Sequence, residues 1–300
     1  MRKFVAEAFR LPSQKSGGQM TSATMLLMLF YLAVPAFANI TVAAPQTAFQ
    51  GQSFYLSLFA DKPVKEANAT FQERKAPFFP VGDKYKAILG TMPECKPGEY
   101  TIAVKIIKED GSVDWQSQKI KILAKDYGKV SFYVKPAKKK AILSRPTLVQ
   151  DEWAPIEKTL VVKRPERFWE GKFIKPVPGI TTMDFGVREY INDKKRGYHR
   201  GHDFRAAMGT PVMAPNDGEI VYASQTQAFG GTVVIDHGQG IHTLYFHLSE
   251  FLKPVGTMLK KGDFFARTGN SGISSGPHLH WGMSVQNVRV DPMQWTREQM

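Results

Sequence analysis

The stretch SSGPHLHWGM, residues 274–283, sets two histidines one residue apart among Gly, Pro, Leu and Trp. Residues i and i+2 of a β-strand point to the same face, so His278 and His280 are expected to look into one groove. Taken alone, the pair reads most simply as two satisfied surface histidines. It does not stand alone: all seven histidines lie between His199 and His280.

Within that window three groups stand out: His199-Arg200-Gly201-His202-Asp203, Tyr245-Phe246-His247 and His278-Leu279-His280. A catalytic zinc takes three nitrogen or carboxylate ligands and leaves a fourth position for water. His199 and Asp203 with one imidazole from a distant strand supply such a set. A single zinc does not need both histidines of His278-Leu279-His280; one can bind metal while the other handles protons.

Outward from these groups, short alternating segments end at glycines. Strands are expected at Pro211–Ala214, Glu219–Ala223, Thr232–Asp236, His242–His247, Asp263–Thr268 and His278–Ser284, giving an antiparallel β domain over residues 173–300 with little helix. Before it, Ile40–Ala44, Ser53–Ala60, Lys84–Leu89, Tyr100–Lys108 and Lys119–Leu123 read as strands of a β-sandwich over 39–134, with a hairpin turn at Asp110-Gly111. That segment holds no histidine and suits positioning or shielding. Residues 135–172, charged and interrupted by prolines, read as a linker with one short helix near Leu148–Leu160. The fold class expected is all-β, an N-terminal β-sandwich-like domain followed by a C-terminal antiparallel sheet.

Arg2, Lys3, Arg10 and Lys15 precede an apolar run from Met25 to Val34 that ends in Pro35-Ala36-Phe37-Ala38, the order of an export signal over 1–38 with cleavage after Ala38. The alternative is a retained leader and membrane association through it. Both readings place the rest of the chain outside the cytoplasm, in the periplasm or the extracellular envelope. Cys95 is the single cysteine, so no intramolecular disulfide can form. Losing the leader's four basic residues and one acid takes the formal charge from +13 to +10. A basic surface favours an anionic partner, and export argues for a wall polymer over nucleic acid.

HRGHDFRAAMGTPVMAPNDGEIV (199–221), GGTVVIDHGQGIHTLYFHLS (230–249) and SGISSGPHLHWGM (271–283) together resemble the motif blocks of the lysostaphin and LytM-type zinc endopeptidases, which cut peptidoglycan peptides. The resemblance covers roughly residues 173–295. It implies that His199, Asp203 and His280 are zinc ligands, and that His247 and His278 are the two catalytic histidines. His202, where the family commonly has an apolar residue, is a departure; as a strand neighbour of Asp203 it is expected to face away. His237 and His242 read as structural or solvent-facing.

Hydrolysis would then use water made nucleophilic by zinc, with a histidine as general base, since neither the His199–Asp203 block nor the His278–His280 block contains a glutamate. Gly230-Gly231 and residues 271–276 are expected to let an extended peptide lie close to the backbone. Competing with this enzyme are a non-cleaving wall-binding or hydrolase-activating module of the same fold, and an endopeptidase for proteins.

Overall fold

A computed structural model describes residues 40–132, 147–161, 164–191 and 193–300. The expected export signal lies outside these residues, as do residues 135–146 and 162–163 of the expected linker. Residues 39–300 form one unit, and its regular structure is almost all strand.

Two N-terminal sheets face each other. One orders Ile40–Ala43, Ser53–Ala60, Lys84–Gly90 and Phe79–Val81; the other orders Thr47–Phe49, Val113–Leu123, Gly98–Lys108, Val64–Phe71 and Arg74–Pro77. Leu56 and Leu58 of the first sheet are fully buried against Ile102, Val104 and Ile106 of the second. Tyr55 and Phe59, which flank this pair, point outward at about two-fifths exposure. This is the period-2 pattern of a sheet with one face in a core.

The C-terminal part is a 10-stranded sheet in which every pairing is antiparallel. Its central order runs His202–Arg205, His278–Val285, Ile241–Phe251, Gly231–Gly238 and Gly218–Gln225. All of Gly231–Gly238 is buried because the sheet is covered on both faces. Val233 and Ile235 join Tyr245 and Trp281 on one face, whereas Val234, Leu244 and Phe246 pack on the other against Ile156 and Leu160. Burial on both faces explains why Val233-Val234-Ile235 is continuously apolar.

Ile156 and Leu160 belong to the helix Leu148–Leu160, at the place expected from sequence. It lies on the large sheet rather than free between two bodies. Each of the two buried side chains contributes about 1.5–3 kcal/mol to holding it there. Of the stretch expected as a linker, then, residues 147–161 have an apolar face of their own, and Trp169 packs into a further core with Trp295 and Ile88.

The sandwich is joined to the large sheet by specific contacts. Ser53 donates its N–H to Gln294 Oε1 at 2.8 Å, and its carbonyl and hydroxyl accept from Gln294 Nε2 and Trp295 Nε1, each at 3.0 Å. Beside the histidine-rich groups, Arg200 Nη1 pairs with Glu94 of the sandwich at 2.8 Å.

Candidate metal and catalytic site

Strand register builds the site. Asp203 stands opposite His280, and Arg205 opposite His278, where His202–Arg205 pairs with His278–Val285; Phe246 flanks His280 from the next strand. His199 lies in the turn before, its N–H bonded to the Val187 carbonyl at 2.8 Å and its carbonyl accepting from Gly186 at 2.9 Å. Gly201 carries the chain over the His280 ring so closely that a Cβ there would come within 2.3 Å of His280 Nε2. The glycine between His199 and His202 is therefore required by contact.

His199 Nε2, His280 Nδ1 and Asp203 Oδ1 converge. His199 Nε2 is 3.1 Å from both His280 Nδ1 and Asp203 Oδ1, and His280 Nδ1 is 2.8 Å from Asp203 Oδ1. His199 donates its Nδ1 proton to the Asp184 carbonyl at 2.9 Å, which leaves Nε2 as a lone pair. The carboxylate only accepts. With both rings neutral, these three atoms share at most one proton, from His280, so the triangle draws in positive charge. Two nitrogens and one carboxylate oxygen also form the donor set of a catalytic zinc site, so these residues fit the ion.

Charge follows the same logic. Burial works against the Asp203 carboxylate, but the His280 and His199 rings outweigh it and hold the group well below the usual carboxylate range. Burial likewise opposes protonation of His199, yet its bond to Asp203 prevails and its pKa is raised. His280 goes the other way, lowered chiefly by burial.

His278 and His247 stand beside this triangle with their rings 4.7 Å apart. His278 Nε2 lies 3.9 Å from Asp203 Oδ2, so both histidines of the His278–His280 strand do look toward one carboxylate. His278 Nδ1 bonds the Gly276 carbonyl, and His247 Nδ1 the Ser271 carbonyl, each at 2.8 Å. A carbonyl accepts only, so in the neutral rings both protons sit on Nδ1 and both Nε2 atoms carry lone pairs. Burial, helped by neighbouring His278, pushes His247 down to about 4.

Where Ile241–Phe251 pairs with Gly231–Gly238, the register steps from Val233↔Tyr245 to Gly231↔Leu248. That places an extra residue in the segment holding Phe246 and His247. His247 takes φ 64°, in the left-handed region that β-carbon sterics disfavour. Such a bulge re-aims a side chain, here toward His278. Nothing in Tyr245-Phe246-His247 signals it in advance.

The other histidines lie apart. His202 faces away from the triangle, its Nε2 2.8 Å from Thr181 Oγ1. His237 and His242 are fully buried inside the sheet. Gly230 and Gly272, both at positive φ, let two loops interlock: a Cβ on Gly230 would meet Ser271 at 2.3 Å, and one on Gly272 would meet Gly230 N at 2.4 Å. The backbone carbonyls of Asp184, Ser271 and Gly276, which fix three imidazoles, escape sequence reasoning because any residue supplies them.

Residues 197–292 match peptidase family M23. The chain carries an M23 peptidase domain. The match spans all five histidine and aspartate positions of the site and agrees with the lysostaphin/LytM-type resemblance. The chain is 43% identical over 96 residues to an uncharacterized metalloprotease of Haemophilus influenzae, covering 32% of this chain and 20% of that one. It is 37% identical over 100 residues to the peptidoglycan DD-endopeptidase ShyA of Vibrio cholerae, covering 33% and 23%. The alignment thus spans only about a fifth to a quarter of each of these relatives. A crystal structure from Pseudomonas aeruginosa that carries the name peptidase M23 has the same fold, with a TM-score of 0.62 at 22% identity over 83% of this chain and 94% of that one.

Proposed function

We propose that the protein is a zinc-dependent endopeptidase that hydrolyses peptide bonds in the cross-links or stem peptides of peptidoglycan. The observation that carries this is the convergence of His199, Asp203 and His280 on one point with the free Nε2 atoms of His247 and His278 alongside. His199, Asp203 and His280 would hold the metal. When bound, zinc supplies Lewis acidity, lowering the pKa of a water toward about 7 and polarising the scissile carbonyl.

The chain's own groups handle the protons. One basic Nε2, on His247 or His278, takes a proton from the attacking water and returns it to the leaving amine as the C–N bond breaks. The partner ring, with its Nδ1 proton already committed to a carbonyl, donates to the oxyanion from Nε2 when it carries a second proton. Losing one such donor typically costs about 3 kcal/mol. Asp203 keeps its charge throughout and anchors His280.

The peptidoglycan DD-endopeptidase name of the Vibrio relative supports the substrate class. The formal charge of +10 that remains without the leader's four basic residues and one acid suits an anionic wall polymer. Action on that polymer would place the protein in the cell envelope, exported by the signal over residues 1–38, with 39–134 positioning the 173–300 enzyme.

The test is digestion of isolated peptidoglycan by the full mature chain with and without chelator, reading new amine ends by mass spectrometry. Zinc-restorable release of amine ends supports the proposal. Binding of intact polymer with no new ends would replace it with a non-cleaving wall module.

A further inference from the structure

The helix Leu148–Leu160 lies outside the segment matched to the M23 family, yet it holds a loop that borders the site. Glu152 accepts two backbone N–H groups with its two carboxylate oxygens, Gln227 at 2.8 Å and Ala228 at 2.7 Å. The next residue, Trp153, packs its ring 6.0 Å from that of Phe229. The loop from Thr226 to Gly230 is therefore gripped from the helix by charge and by apolar contact at consecutive positions.

That loop holds His247. The Phe229 carbonyl accepts the His247 backbone N–H at 3.0 Å. The Ala228 carbonyl accepts from Ile273 at 2.8 Å, tying the loop to the segment whose Ser271 carbonyl fixes His247 Nδ1. The Phe229 ring stacks 5.2 Å from Phe246, which lies 5.3 Å from His280. A left-handed φ on a non-glycine residue persists only where its surroundings over-determine it. At His247 those surroundings are a main-chain bond to Phe229 and a side-chain bond to Ser271.

We infer that Glu152 and Trp153 are positioning residues for the site: by clamping residues 226–230 they hold the strained His247 at the angle the reaction needs. Glu152 touches neither the triangle nor His247. Its effect travels through two backbone amides and one carbonyl. The M23 domain of this chain is on this account incomplete without the helix before it.

The inference rests on the proposed peptidase function for its kinetic reading and on structure alone for the rest. The test compares Glu152→Gln with wild type in the full zinc-loaded chain. An amide side chain of the same length offers one acceptor oxygen where two are used. Zinc content, unfolding midpoint, kcat and KM on a cross-linked wall peptide, and the ¹⁵N signals of the His247 imidazole are measured together. The expected result is a kcat lower by about 10- to 100-fold, as displaced catalytic groups give. KM and zinc content stay unchanged, and His247 signals move while those of His237 do not.

Unmoved His247 signals in folded E152Q would overturn the inference. So would a loss of kcat that only tracks lost zinc or unfolded protein. If E152Q does not fold, Glu152→Asp, which keeps both acceptor oxygens on a shorter stem, is judged by the same His247 signals, a shift supporting the clamp and none refuting it. A wild-type chain that cleaves no wall peptide would sink the proposed function, and the imidazole signals would still decide the clamp.

Discussion

The strand Ile241–Phe251 carries a histidine near each end, and the two have opposite fates. At one end His242 is fully buried beside His237, whose Nδ1 donates to the Asp217 carbonyl at 2.7 Å and whose Nε2 accepts from the Thr243 hydroxyl at 2.8 Å. At the other end His247, like His199 and His278, gives one nitrogen to a backbone carbonyl and keeps the second for the cleft. A count of imidazoles does not separate these regions. What separates them is access to the cleft: His237 and His242 are fully enclosed, whereas His247 and His278 are only half-buried.

The harshest way to break the comparison is to remove a corner of the triangle. His199→Ala or Asp203→Ala is expected to abolish zinc retention and peptide cleavage together, whereas His237→Gln keeps both. Metal analysis alongside release of amine ends reads this directly. Full zinc occupancy in either alanine variant would place the metal elsewhere.

His247→Ala should sharpen the distinction inside the cleft. It removes a proton carrier and no corner of the triangle, so zinc content stays at the wild-type level. Turnover is expected to fall by about 10²–10³-fold, the scale of one lost acid–base or oxyanion group. Undiminished turnover would take His247 out of the reaction.

The sequence made one end of the strand more legible than the other, for physical reasons. Period-2 alternation turned His278 and His280 to one side, as expected, where both face Asp203, and Thr232–Asp236 was legible as a strand, though not as one buried on both faces. Strands built on small side chains stayed hidden: Val64–Phe71 buries Ala67 and Ala69, which carry little hydrophobic signal, and Arg74–Pro77 ends in proline. The bulge at His247 and the amides gripped by Glu152 are main-chain features to which residue type contributes little. Glu152 reads in sequence as one more charge in a charged stretch.

The buried end makes its own pH prediction. Burial pushes His237 down to about 4 and His242 to about 3, from an ordinary value of 6.5. As pH falls through 6.5 the unfolded chain takes up protons there and the folded chain does not, so stability is full above that pH and declines toward pH 4. For His237 the loss is on the order of 3 kcal/mol. Unfolding free energy followed from pH 7 to pH 4 should drop less steeply in His237→Gln. An unchanged slope would mean that this ring is not held neutral.

His202 should give the smallest effect and the finest test, because it sits between the two regions, next in sequence to Asp203. Its ring packs 4.7 Å from Phe204 and its Nε2 meets Thr181 Oγ1 at 2.8 Å, on the face of the strand away from the triangle. His202→Gln keeps a polar group near Thr181, so the expected cost is one altered hydrogen bond, about 1 kcal/mol of stability. Zinc content and cleavage should stay within about twofold of wild type, since a change of that size in the barrier would need only about 0.4 kcal/mol. A larger loss of zinc would show that alternation along His202–Arg205 does not insulate the metal corner from its neighbour. The strand face, rather than closeness in sequence, would then cease to be what divides a ligand from a packing residue.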